Sequence, residues 1–288
     1  MSIWVDASDK NLAEARDAFY RDGFFFVKNL FPVEDLKAVV EEISETLRYL
    51  LSSREIAFDQ QDDLDQLYNR AWESLGENRK YLSTLPGDLS SFATLVGHIS
   101  VRTMIKRLFE TSAVQTVGDS NVIRVDRPGD DSTILTWHQD FPYNVLAEDA
   151  ATVWAPILPV SSEMGRMRVV RGDLSIRPVD LVRGEKNKFH SSSYFRISGL
   201  ERDSSNFQEK SEELPEIVVG DAVVQHSLLL HASGKNRTLD KSRWVFTARY
   251  ADIHRERSAS RLWLTARDKY PFFFASQYPE LVEELPFT

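Results

Sequence analysis

Cysteine is absent from this 288-residue chain. Its absence excludes disulfides, thiolate metal sites and cysteine nucleophiles. A run of about 18 apolar residues, the minimum for a membrane-spanning helix, is also missing. The longest apolar clusters are short, such as Phe24-Phe25-Phe26-Val27. Basic residues are in deficit: 35 Lys and Arg against 44 Asp and Glu give a net charge of −9, and no Lys/Arg-rich run stands out. A dedicated nucleic-acid binder presents a basic face, so no nucleic-acid partner is expected. The opening segment, MSIWVDASDKNLAEARDAF, lacks the basic region and apolar stretch of a secretory signal. The expectation is a soluble, cytoplasmic protein with no membrane partner. No internal repeat or low-complexity tract is found.

What is present is ordinary globular material, with 42% hydrophobic and 27% charged residues. The first third is helical in pattern. Leu12, Ala15, Phe19 and Tyr20 make one stripe, broken by Asp22-Gly23. Phe24 to Val27 reads as a short buried strand. Pro32 opens a helix carrying Leu36, Val39, Val40, Ile43, Leu47 and Leu51 on one face. Two further helices are predicted over Asp63–Leu75 and Phe92–Thr111. From about residue 113 the texture becomes β. Strands are predicted at Val114–Val117, Asn121–Val125, Ser132–His138, Thr152–Leu158, Met167–Val170, Glu216–Val219, Ala222–Leu230 and Arg243–Tyr250. Many short strands with turn signals between them suggest an all-β sandwich or barrel. The polar stretch 175–215 is too long for a plain loop and reads as a lid-like insertion. One domain over 1–288 is expected: helical support over about 1–112, a β core over about 113–255 and a C-terminal segment over 256–288.

Two of the six histidines sit in informative places. In Trp137-His138-Gln139-Asp140, alternate residues of a strand share a face, so an imidazole and a carboxylate can chelate one metal ion. In Gly220 to Asn236, an apolar strand ends in His231 and a Ser-Gly turn follows; Arg243 opens another strand twelve residues after His231. A hairpin would set Arg243 beside the strand bearing His231. His138, Asp140 and His231 together form a candidate facial triad. That is the ligand set of non-haem Fe(II) oxygenases, with the opposite face open to a cosubstrate and O2. A bound 2-oxoglutarate needs a cation for its distal carboxylate, and Arg243 suits bidentate capture.

In these motifs the chain resembles the phytanoyl-CoA dioxygenase-like branch of the Fe(II)/2-oxoglutarate-dependent oxygenases. Phe19-Tyr20-Arg21-Asp22-Gly23-Phe24-Phe25-Phe26-Val27 is similar to that family's N-terminal helix, Asp-Gly and strand. Trp137 to Asp140 resembles its metal-binding His-Gln-Asp. Trp154 to Val170, with Gly165 inside, resembles its central segment, and His231-Ala232-Ser233-Gly234-Lys235-Asn236 its distal-ligand hairpin. The resemblance implies a double-stranded β-helix, or jelly roll, flanked by helices. It implies Fe(II) on His138, Asp140 and His231. It also implies 2-oxoglutarate held by Arg243, with Ser233 donating a hydroxyl to the same carboxylate and Trp154 alongside. The implied reaction is oxidation of a small organic molecule by O2, most simply hydroxylation, with release of succinate and CO2. Asp140 fills the position where iron halogenases of similar fold carry a small residue, which argues for an oxygenase outcome: hydroxylation, desaturation or ring formation.

The sequence departs from the family where Arg171-Gly172-Asp173-Leu174 follows the central strand. The gap from His231 to Arg243 is also one residue longer than is common, so Arg237 and Arg249 stand as alternative carboxylate partners. His226 is the rival to His231; five residues apart in a regular strand, the two face opposite sides. His98 and His254 read as residues without function, and His190 lies in the insertion. Phe141 and Tyr143 follow the metal motif and are candidates to line a substrate pocket, or else core and rim aromatics. Arg168 is the candidate contact for an anionic substrate. Two other readings remain open: a cupin-like isomerase or hydrolase that needs no 2-oxoglutarate, and a non-catalytic jelly-roll binding protein.

Overall fold

Helix formation in the first third follows the apolar stripes. The computed structural model of the chain describes residues 2–82, 85–116, 120–131, 134–144, 147–181, 195–197, 200–260, 275 and 278–282. Strand β1 (Trp4–Asp6) and helix α1 (Ala13–Arg21) lead to β2 (Phe24–Lys28). Helices α2 (Val33–Ser53), α3 (Leu64–Leu75), α4 (Arg79–Leu82), α5 (Ser90–Val96) and α6 (Ile99–Phe109) follow. Leu36, Val39, Ile43, Leu47 and Leu51 are the buried face of α2. Asp63 caps α3 in a capping box with Gln66. The single helix expected over Phe92–Thr111 is two. Gly97 ends α5, and the His98 side chain accepts the Ser100 N–H to start α6.

The second part supplies most strands: β3 (Val114–Thr116), β4 (Val122–Asp126), β5 (Ala151–Pro156), β6 (Arg168–Val169), β7 (Val179–Leu181), β8 (Phe195–Ile197), β9 (Glu212–Glu213), β10 (Ala222–His226), β11 (His231–Ala232) and β12 (Arg243–Asp252). Helices α7 (Phe141–Asn144), α8 (Leu200–Lys210) and α9 (Glu256–Ser260) are interspersed. The large sheet runs β1-β2-β10-β5-β12-β3, with β4 also on β12; the small sheet runs β11-β6-β9, and β7 pairs with β8. Alternation on β12 sends Trp244, Phe246, Ala248 and Tyr250 into the core shared with the helices, leaving Arg243, Val245, Thr247 and Arg249 on the other face. Between the two sheets, Phe24, Phe26 and Val223 from the large one meet Met167, Val169 and Leu229. The fold is thus mixed and sheet-rich, of the jelly-roll class, with helices α1 to α6 packed on the outer face of its large sheet.

Four expected features are corrected. Ala222–Leu230 is not one strand: β10 ends at His226, and the chain turns there with Ser227 tied by its N–H to the Ala150 carbonyl (2.8 Å) and by its hydroxyl to Ala147 (3.1 Å). Ser132–His138 is not a strand over its described residues. Its backbone bonds to 231–233, among the described residues, are Ser233 N–H to Leu135 O and a reciprocal His138–His231 bridge. Glu216–Val219 forms no ladder, since Leu214 N–H to Met167 O is the last backbone bond to the small sheet and a turn at Val218–Asp221 follows. No hairpin joins His231 to Arg243, because β11 belongs to the small sheet and β12 to the large one. The insertion 175–215 contains β7, β8, α8 and β9; its residues 182–194, with His190, lie outside the described residues, and with them the middle of the expected lid.

Candidate metal centre

Backbone pairing brings the two histidines together. His138 N–H donates to His231 O (2.9 Å) and His231 N–H to His138 O (3.0 Å), so segments 93 residues apart are locked side by side. Their ring centroids are 4.1 Å apart. Asp140 follows two residues later, with Oδ1 3.9 Å from His138 Nε2. One ligand atom from each of His138, Asp140 and His231 lies within 4.8 Å of the others, and all three residues are buried.

The tautomers suit a metal. His138 Nδ1 lies 2.7 Å from the Thr136 carbonyl and His231 Nδ1 lies 2.9 Å from the Leu229 carbonyl. A carbonyl only accepts, so each Nδ1 carries the proton and each Nε2 keeps its lone pair. Burial keeps both rings neutral. His138 is pushed down to about 3 by burial, helped by His231, against the pull of Asp140. His231 is lowered chiefly by burial. Burial alone would raise the Asp140 carboxyl, but Arg249, the two histidines and a Thr152 hydrogen bond together hold it below the usual carboxylate range. Two neutral imidazole nitrogens and one carboxylate fit a divalent transition metal such as iron.

Asp140 is held by a row of side chains across three strands. Gln225 on β10 is in register with Thr152 on β5, and Thr152 with Arg249 on β12. The Thr152 hydroxyl donates to Asp140 Oδ2 at 2.7 Å and Gln225 Nε2 approaches the same oxygen at 3.5 Å. Arg249 Nη2 reaches Oδ1 at 3.4 Å. Gln139, between the ligands, donates to the carbonyls of Leu228 (2.7 Å) and Ser175 (2.8 Å), which fixes the turn carrying Asp140.

Among the other sequence-predicted residues, Arg243 is buried, with Nε and Nη2 both on Asp126 Oδ2 at 3.0 and 2.7 Å. Arg124 Nη2 bonds the other oxygen of Asp126 (3.1 Å) and reaches Ser233 Oγ (3.4 Å). Two guanidiniums thus share one carboxylate beside Ser233, and these three charged groups carry one net positive charge. Arg237 is exposed. Trp154 is half-buried on β5, in register with Thr247 and Val223. Tyr143 stands edge-on to His138 at 6.0 Å, and Phe141 is buried against Tyr278. Arg168 is engaged by Ser211, Glu213 and the Gln208 carbonyl. His226 is away from the triad, packed against Phe19, with its Nδ1 accepting the Leu228 N–H. His98 caps α6, and His254 is paired with Asp252. Thr152, Gln225, Arg124 and Asp126 escaped the sequence reading. The signal was there for Gln225, a lone amide directly after the apolar run Ala222–Val224.

Residues 19–245 match the phytanoyl-CoA dioxygenase (PhyH) family. The chain belongs to this family. The resemblance seen in the motifs is thereby borne out, and the buried His-Asp-His group is the donor set that iron- and 2-oxoglutarate-dependent oxygenase chemistry requires. A search of curated proteins finds no sequence match. Solved structures share the fold of this phytanoyl-CoA dioxygenase family member. A nickel complex of the non-haem monooxygenase ThoJ is 17% identical with a TM-score of 0.53, over 83% of this chain and 78% of that one. The epimerase SnoN, in complex with Fe3+, alpha-ketoglutarate and nogalamycin RO, is 16% identical with a TM-score of 0.52, over 84% of each chain. The alpha-ketoglutarate-dependent carbocyclase SnoK from nogalamycin biosynthesis is 17% identical with a TM-score of 0.52, over 86% of this chain and 87% of that one. No helix among the described residues is long and apolar enough to cross a membrane.

Proposed function

We propose that the protein is an Fe(II)- and 2-oxoglutarate-dependent dioxygenase that hydroxylates a small organic molecule, with release of succinate and CO2. The observation that carries this reading is the buried triad in which both Nε2 lone pairs are presented by Nδ1 hydrogen bonds. His138, Asp140 and His231 would hold the iron, and the bound metal supplies activation of O2 at the expense of 2-oxoglutarate. The chain's own part is to orient the ligands, to exclude water by burial and to anchor the cosubstrate. Arg243 and Ser233, now joined by Arg124, are the proposed partners of the distal carboxylate, since two guanidiniums on one Asp126 accommodate a further anion. Trp154 is proposed beside the cosubstrate. Tyr143 and Phe141 are the proposed substrate-facing aromatics, and Arg168, oriented by Ser211 and Glu213, is the proposed contact for an anionic substrate.

Monooxygenase, epimerase and carbocyclase neighbours share this fold, so the outcome on substrate is a matter for assay. Anaerobic addition of Fe(II) and 2-oxoglutarate should give a weak visible charge-transfer band. Aerobic incubation with candidate substrates should give stoichiometric succinate and a product heavier by one oxygen. A metal-dependent product without 2-oxoglutarate consumption would move the isomerase or hydrolase reading ahead.

A further inference from the structure

Gln225 is buried and lies at the metal ligands, yet it is a poor support for them. Its Nε2 is 3.3 Å from His231 Nε2 and 3.5 Å from Asp140 Oδ2. The second contact is at the limit of a hydrogen bond, and Asp140 Oδ2 already has the Thr152 hydroxyl at 2.7 Å. Thr152 and Arg249 hold Asp140 at shorter distances than Gln225 does. At the other end of the amide, Gln225 Oε1 is buried with no hydrogen-bond partner among the described residues. A buried carbonyl left unpaired is destabilising, since it has given up its water without a replacement. Turning the amide over gives no relief, because Oε1 would then face the Asp140 carboxylate.

The tautomer of His231 sets the direction of the remaining contact. Its Nδ1 proton goes to the Leu229 carbonyl, so the Gln225 N–H is directed at the Nε2 lone pair, the one a metal takes. Metal uptake deprives that N–H of its acceptor. The carboxamide is then left beside the metal with a donor released and an acceptor that has no partner among the described residues.

We propose that Gln225 is a binding residue for the cosubstrate, whose N–H passes from His231 Nε2 to a carboxylate oxygen of 2-oxoglutarate when the metal is loaded. The proposal rests on the triad holding a metal with 2-oxoglutarate on its open face. In the metal-free protein the same N–H competes mildly with the metal for His231.

The test uses full-length protein, Mn2+ as a redox-inert metal, and 2-oxoglutarate, with both affinities read by calorimetry. Unmodified protein is measured first. If it takes up neither Mn2+ nor 2-oxoglutarate, the functional reading falls and the proposal with it. In Gln225→Leu the Mn2+ affinity should stay level or rise a few-fold, while the 2-oxoglutarate affinity of the loaded protein falls roughly tenfold, the worth of one hydrogen bond to a charged group. Gln225→Glu, equal in size, should bind Mn2+ more tightly and 2-oxoglutarate more weakly still, because two carboxylates then oppose each other. A merely structural residue would weaken both ligands together. Parallel losses in both variants, or unchanged 2-oxoglutarate affinity in both, would overturn the assignment.

Discussion

Replacing His138 or Asp140 by alanine removes one of three donors while leaving the reciprocal His138–His231 backbone bonds in place. Both variants should fold, and metal analysis after Fe(II) loading should find the site empty; retained iron with full turnover would sink the triad. For the cosubstrate, Arg243→Ala should raise the 2-oxoglutarate dissociation constant by ~10²-fold, since a charged hydrogen bond is lost and each ~1.4 kcal/mol is tenfold. Arg243→Lys should recover part of the loss, a point charge replacing a planar fork. If Arg249→Ala alone weakens 2-oxoglutarate, the anchor lies on the Asp140 side. A pH effect belongs to this scale too. His226, away from the triad, is pushed by burial from 6.5 down to about 4. Its folded form binds a proton less readily than the unfolded chain, so stability is full above about pH 6.5 and is lost as pH falls towards 4. The loss due to this group is about 3 kcal/mol. Urea unfolding at pH 7 and 4.5 should show a smaller acid loss in His226→Asn, which keeps an acceptor for Leu228 N–H; equal losses would assign the acid sensitivity elsewhere.

At the scale of elements, a glycine contact closes the site from the small-sheet side. Gly165, at φ +81°, lies against Gly234 so closely that an added Cβ would be 2.4 Å from the Gly234 carbonyl carbon. The pair seats the turn before β6 on the turn after β11, and so fixes His231 and Ser233. Gly165→Ala should cost about 2–4 kcal/mol in urea unfolding, a backbone clash added to a left-handed φ. Gly129→Ala, also at positive φ (+68°) but with open space around it, should cost only about 1 kcal/mol. Equal costs would show that the approach of Gly165 to Gly234 is slack. Elements also mark how far the sequence could be read. The stripes of α1, α2 and α3 and the core strands were legible because burial follows a fixed period. The break at His98 is set by a side chain bonding its neighbour's N–H, and the break after His226 by Ser227 bonding the distant 147–150 segment. Neither leaves a mark in hydrophobic pattern. Likewise the crossing of the chain from β11 to β12 depends on which sheet each strand joins. The same blindness hid Thr152, Arg124 and Asp126 at the site: a polar residue on a strand looks alike whether it faces solvent or a ligand. His138, Asp140 and His231 stood out because few chemistries need those three types together.

For the whole molecule, the helical layer ties down the start of β12. Asp65 on α3 accepts from Trp244 Nε1 at 2.8 Å and from Ser242 N–H at 3.2 Å, at the very start of the strand that carries Arg243 and Arg249. The His138–His231 bridge has a mechanical side as well. A metal shared by His138, Asp140 and His231 would close a loop of 93 residues in a chain that has no thiol to close any. A cross-link over a loop of that length can be worth about 4–5 kcal/mol through the entropy it removes from the unfolded chain. As a reversible ligand the metal should stabilise by about 2.7 kcal/mol at a hundred times its dissociation constant. Unfolding midpoints should therefore climb with free Mn2+ and drop on addition of a chelator, with dithiothreitol having no effect on the metal-free protein. Such a staple would be supplied from outside, and the endurance of the fold would then track metal supply rather than disulfide chemistry.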